Sequence, residues 1–235
     1  MLLNYYFVIF TYLFFSYIIT FITDVFLLKY IINNSARYYL IHFFLNLNVV
    51  YLTYSDTYYY LLNPLSITNE YSYNSIASVC IIISFHLYHF IYEKLDLETK
   101  IHHIVSVFMC ASSGLTLPTG ATIGAINYFM CGLPGGLDYM MLFLVKYKYI
   151  DKLTEKYYNR WLNLLIRMPG MMICFWYLIL NVIHGRIELY NYSYQIISCF
   201  LLLINSIYYC NKTVGNYHVR NHEYLLLKNK DCNNR

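Results

Sequence analysis

YYFVIFTYLFFSYIITFITDVFLL, from Tyr5 to Leu28, is apolar for long enough to cross a bilayer as one helix, since about 20 residues at 1.5 Å each span roughly 30 Å of hydrocarbon. It has no basic stretch ahead of it and is too long for the core of a cleavable leader, so it reads as a permanent membrane helix. Beyond it the same pattern recurs. Apolar runs bounded by charge lie at Tyr38–Tyr54, Ser75–Tyr92, Ile101–Leu117, Ala121–Val145, Trp161–Ile183 and Tyr192–Tyr209. The reading is therefore an all-α polytopic membrane protein of about seven transmembrane helices. Composition agrees: of 235 residues 59% are hydrophobic and 12% charged, against about 25% charged in a soluble domain.

Orientation follows from the basic residues, which are retained on the cytoplasmic side near helix ends. With seven spans, Lys29, Arg37, Lys94, Lys100, Lys146, Lys148, Lys152, Lys156, Arg160, Lys212, Arg220, Lys228, Lys230 and Arg235 fall on one side and Arg186 on the other. The N-terminus is then expected outside the cytoplasm and the C-terminus within it. Arg167 lies inside a span, where its long side chain could snorkel toward the Arg160 face. The loop from Ser55 to Asn74 has no basic residue, and Pro118 with Gly120 leaves a tight hairpin between spans four and five. A net charge of +4 then serves topology and contact with anionic lipid, not nucleic-acid binding. Of the sequons at Asn33, Asn191 and Asn211, only Asn191 falls in an expected non-cytoplasmic loop, so it is the expected glycosylation acceptor.

Tyr is present 30 times, Phe 15 and Trp 2. Tyrosine so abundant beside many Asn and Ile reflects biased coding composition more than interfacial preference, and no single Tyr is weighted for function. Cys80, Cys110, Cys174 and Cys199 lie within apolar runs and read as small buried hydrophobes, with neither a disulfide framework nor a metal site.

The ionisable residues inside the spans carry the functional signal, because a strong polar group in hydrocarbon must face the bundle interior and find a partner. His86 and His89, three apart near the end of span three, share a helix face. His102 and His103 begin span four. Asp138 follows Gly132-Leu133-Pro134-Gly135-Gly136-Leu137, in which Pro134 removes a backbone donor and the glycines allow close helix approach. A hydrated helix end would explain the adjacent histidines equally well, and a packing kink would explain the glycines. Asp24, Asn46, Asn48 and Asn181 read as hydrogen-bonding groups between helices. Convergence of four imidazoles and a carboxylate on three consecutive spans favours a site, with His102, His103 and Asp138 facing one polar cavity.

Ile101-His102-His103-Ile104-Val105-Ser106 and, about thirty residues on, Gly132-Leu133-Pro134-Gly135-Gly136-Leu137-Asp138-Tyr139, with Lys146 closing that span, resemble the TLC domain family, which includes the ceramide synthases. The likeness covers about Ala36 to Tyr209. It implies residues 1–35 as a first helix and basic loop, 36–210 as a TLC-like domain and 211–235 as a basic cytoplasmic tail. It also implies a six-helix barrel of spans two to seven around a lipid-sized cavity, with span one outside. In the synthases paired histidines act on a fatty acyl-CoA thioester. His102 and His103 match that pair, and Asp138 matches the second of two aspartates three apart, whereas Gly135 stands at the first. The expected function is binding of a long-chain lipid or acyl chain in lipid transport, sensing or synthesis. The alternatives are a ceramide-synthase-like N-acyltransferase and, lower, a metal-dependent lipid hydroxylase. The site would comprise His102, His103 and Asp138 as catalytic groups, with His86, His89, Gly135, Gly136 and Tyr139 contacting substrate. No cofactor is expected beyond acyl-CoA as a co-substrate for the acyltransferase. Membrane lipid is the expected partner, nucleic acid is not, and a homodimer is left open. The endoplasmic reticulum is the implied compartment.

Overall fold

The computed structural model describes residues 2–29, 32, 34–65, 72–116 and 120–233, which are helical nearly throughout and contain no strand element. Helix α1 (Leu2–Ile22) runs into a π-helical turn, Thr23–Leu28; α2 spans Asn34–Leu62 and α3 Tyr73–Tyr92. Helix α4 (Leu97–Ile104) continues as a π-helical stretch, Val105–Ala111, and a 3-10 turn, Ser112–Leu115. Helices α5 (Thr122–Asn127) and α6 (Leu133–Lys146) form one rod through the π-turn Tyr128–Gly132. In the same way α7 (Lys152–Leu162) and α8 (Met168–Ile183) join through the π-turn Asn163–Arg167, and α9 runs from Leu189 to Asn233.

Five described helices are long and apolar enough to cross a membrane: Tyr5–Phe26, Tyr73–Tyr92, Thr122–Lys146, Lys152–Ile183 and Leu189–Asn229. Large apolar side chains cover their outer faces, Phe7 at 69% exposure and Trp176 at 56% among them, as a hydrocarbon solvent requires. The expected second and fourth spans are helical but are not among these five; α2, at 29 residues, is long enough to cross but too polar. Helix α2 carries His42, Asn46, Asn48, Thr53, Asp56 and Thr57, and the α4 rod opens on charged and imidazole side chains.

Several boundaries differ from expectation. Helix α2 runs on to Leu62, so the loop expected from Ser55 begins later. Helix α9 continues unbroken past residue 210 for 45 residues in all, about 67 Å at 1.5 Å per residue, because residues 211–233 contain no proline to stop it. Asn191 sits in the first turn of α9, its amide donating to Glu188 Oε2 at 2.8 Å, and not in a loop; Asn211 is in the middle of the same helix. Asn33, Leu117, Pro118 and Arg235 lie outside the described residues. Gly120, which closes the expected hairpin, adopts φ +56°, a left-handed conformation that glycine takes without a Cβ clash.

Helix starts are fixed by side-chain caps. The Asp96 carboxylate accepts from the Thr99 amide and that of Asp151 from the Thr154 amide, both at 2.8 Å. The Thr154 hydroxyl, at 2.6 Å, and its amide hold the exposed Asp151 carboxyl below its usual range.

One end of the bundle brings together Arg37, Lys146 and Arg160. There Asp24, below α1, pairs with Arg37 Nε at 3.0 Å and accepts the Tyr88 hydroxyl of α3. Lys146 lies over the Tyr39 ring, and Arg160 stacks on Tyr217 of α9 at 3.9 Å. At the other end the Tyr60 hydroxyl donates to the Cys174 carbonyl, and the Asn181 amide to the Pro64 carbonyl at 2.8 Å. A core of Tyr60, Val79, Ala125, Met171, Cys174, Leu178 and Cys199 lies toward this end. Asp24 and Asn181 thus bond between elements as expected. Asn48 does not: its amide donates to Phe44 of its own helix, because the residue faces outward. Helix α1 leans on α3 through the Ser84 hydroxyl, which donates to the Leu13 carbonyl at 2.9 Å, and none of its described residues lines the cavity described next.

Candidate functional site: a polar-ended cavity between the helices

A cavity of about 430 Å³ lies between α2, α3, the α4 rod, the α5–α6 rod, the α7–α8 rod and α9. Val79, Ile82, Ile123, Ile126 and Leu202 supply apolar wall, while His42, Asn46, His86, His102, His103, Asp138, Asn159 and Arg167 supply a polar region.

The imidazoles gather where the end of α3 meets the starts of α2 and α4. His86 packs edge-on to His103 with ring centroids 4.7 Å apart, and His102 is 5.8 Å from His103. His86 Nδ1 donates to the Ile82 carbonyl at 2.8 Å, one turn back on α3. His89, on the same face of α3, points deeper among aromatics, 4.0 Å from Phe85 and stacked 5.0 Å from Tyr38. It is 1% exposed and does not line the cavity. A fifth imidazole, His42, was not singled out from sequence. It stacks on Tyr139 at 4.1 Å and sits 4.6 Å from His89, bridging the histidines to the helix that carries Asp138. Its spacing on α2, four before Asn46, put it on that residue's face, which was the available signal. Nδ1 of His103 and Nδ1 of His89 are buried and meet no hydrogen-bond partner among the described residues.

Asp138 accepts from Asn159 Nδ2 at 2.7 Å. Asn159 belongs to a stripe at intervals of four on the α7–α8 rod. Its amide also reaches Glu155 Oε1 at 3.2 Å, Asn163 Nδ2 donates to Asn159 Oδ1 at 2.7 Å, and Arg167 Nη1 donates to Asn163 Oδ1 at 2.7 Å. Glu155 is fully buried and paired with Lys156 at 3.0 Å. The stripe Glu155, Asn159, Asn163, Arg167 is legible in the sequence as a run of i, i+4 polar residues, and it is the main site feature that pattern reading missed.

Arg167 does not snorkel toward the Arg160 face. It turns into the cavity, where Nε donates to the Met130 carbonyl at 3.0 Å. Local sequence explains the acceptor. Pro134, four residues after Met130, has no N–H to give that carbonyl, and the π-turn Tyr128–Gly132 opens the backbone there. Gly135 lines the cavity beside Asn46 and Arg167, whereas Gly136 packs against α2: a Cβ on Gly136 would make an ordinary 3.4 Å contact with Asn46 Cβ. Tyr139 lines the cavity through its stack on His42.

The predicted residues His86, His102, His103, Gly135, Asp138 and Tyr139 therefore share one cavity wall, while His89 and Gly136 stand behind it. Among the described residues no three His, Cys, Asp or Glu side chains are grouped to hold a metal ion. No family model, curated protein or solved structure matches the chain.

Proposed function

We propose that this chain is a TLC-type membrane protein of seven spans that holds a long-chain lipid or acyl chain in the cavity between its helices, in lipid transport, sensing or synthesis. One observation carries the reading: a single cavity, within a chain with several apolar helices, joins an apolar wall to a region of imidazole, carboxylate and guanidinium groups. A lipid has that same division between chain and headgroup, and pockets of this size class commonly bury most of a ligand. The unpartnered His103 Nδ1 supports the reading, since buried polar groups are normally satisfied.

An acyltransferase version would use His102 or His103 as nucleophile or base, with Asp138 orienting the imidazole. Asp138 is instead bonded to Asn159, which favours a binding role over an acid–base relay. In this reading α2 and the α4 rod complete the span count: their polar faces turn to the cavity, which lowers their apolarity without barring them from the membrane. The basic end then lies in the cytoplasm and the N-terminus outside it, in the endoplasmic reticulum. A homodimer and the hydroxylase alternative are without supporting observation.

His103→Ala is expected to lose co-purifying lipid while keeping membrane abundance near wild type. A structural hydrogen-bond anchor would instead lower abundance, at about 1–3 kcal/mol for an unsatisfied partner. The check is lipid mass spectrometry on detergent-purified protein beside quantitative membrane blots for His102→Ala and His103→Ala. Wild-type lipid in both variants would refute the site.

For orientation, glycan added in microsomes is expected at Asn191 if anywhere. Modification of Asn211 would reverse the topology, since α9 then has its C-terminal half in the lumen.

A further inference from the structure

We infer that Arg167 is the anchor for an anionic end group, so that the lipid held in this cavity is an acid, a long-chain carboxylate or phosphate monoester, and not a neutral alcohol or amide. The inference rests on the lipid-cavity reading and adds the charge of the ligand. An arginine has five N–H donors. Arg167 spends one on the Met130 carbonyl and one on Asn163 Oδ1, and its remaining hydrogens meet no acceptor among the described residues. Among the described residues no carboxylate comes within 4.0 Å of it; Asp138, which lines the same cavity, accepts from Asn159. The guanidinium is nevertheless held in place, fixed through Nε by the carbonyl that Pro134 leaves free and through Nη1 by the asparagine stripe. A guanidinium so fixed presents its free edge to the cavity it lines, the geometry that suits a carboxylate or phosphate.

Gly135 supplies the space. A Cβ built there would stand 3.9 Å from Arg167 Nη2 and 3.0 Å from Asn46 Nδ2, so a side chain at 135 would enter the volume beside the free donors. With glycine that volume is left for a ligand oxygen, and Asn46 offers a second donor to it. Asn163 is a positioning residue, acting through Arg167.

The test is binding of three radiolabelled probes, palmitate, hexadecyl phosphate and hexadecanol, to detergent-purified full-length protein at a pH that ionises both acids. Wild type is expected to bind at least one acid about tenfold or more tighter than hexadecanol, the scale of a charge-assisted pair of hydrogen bonds. Whichever acid is tighter names the headgroup class. Arg167→Gln should bring that acid to the level at which the same variant binds hexadecanol. Gly135→Asp, which places a carboxylate against the guanidinium from within the chain, should have the same effect and keeps the test decisive if Arg167→Gln fails to fold. Equal binding of all three probes by wild type, or an acid preference that survives in Gly135→Asp, overturns the anionic headgroup and leaves the lipid cavity standing. Failure of wild type to bind any of the three overturns both.

Discussion

Gly170→Val is expected to remove nearly all of the protein from the membrane fraction. A Cβ at Gly170 would overlap the ring of Phe129 and stand 2.8 Å from its Cβ, where α8 crosses the π-turn between α5 and α6. Relief would need movement of a ring packed into the core, at a cost of about 3 kcal/mol for even one added carbon and more for valine's branches. Against a total stability of about 5–15 kcal/mol that is enough to deplete a protein in a cell. The comparison is Gly215→Ala on exposed α9, where a Cβ meets nothing within 4 Å and alanine gains about 1 kcal/mol of helix propensity. Abundance and the thermal midpoint in detergent should fall for Gly170→Val, recover in part when Phe129→Ala opens the space, and hold or rise for Gly215→Ala. Unchanged abundance and midpoint in Gly170→Val would show that the helices do not meet in this way.

The second large effect is expected at the basic end. Asp24→Ala should destabilise the bundle by about 3–5 kcal/mol, because it leaves a mostly buried guanidinium without its counter-charge. The Asp24 side chain is 8% exposed and that of Arg37 19%, and the Tyr88 hydroxyl loses its acceptor in the same substitution. Three rods are tied there, so the loss is tertiary and not local. Replacing both partners by apolar residues, Asp24→Leu with Arg37→Met, should restore most of the stability, since the charge left alone is what costs. The surface pair Arg220–Glu223, with side chains about half exposed, is the control: Glu223→Ala should cost under about 1 kcal/mol. If Asp24→Ala and Glu223→Ala behave alike in a denaturation series, the buried triad is not a structural tie.

The apolar runs were legible because hydrocarbon imposes a constraint on each helix separately, and a constraint of that kind is written residue by residue. Tyr5–Phe26, Tyr73–Tyr92 and Thr122–Lys146 coincide closely with the runs read from sequence. Helices at the aqueous edge were less legible, since no solvent boundary marks where a helix in water stops. Hence α2 outlasts its apolar run to Leu62 and α9 continues to Asn233. Of the site, the sequence by itself supplied the ionisable residues that must face inward, His86, His102, His103 and Asp138, because leaving them in lipid costs too much. It also supplied the break at Pro134. Only the tertiary structure decided which group each one meets. It joined His42 to the histidines, gave Asp138 to Asn159, set His89 behind the wall and turned Arg167 inward. The physical reason is that a buried polar group needs a partner but its own sequence does not say which. The Met130 carbonyl freed by Pro134 and the Asn163 amide oxygen come from another rod and another turn, and both were fixed as Arg167's acceptors only when the helices packed.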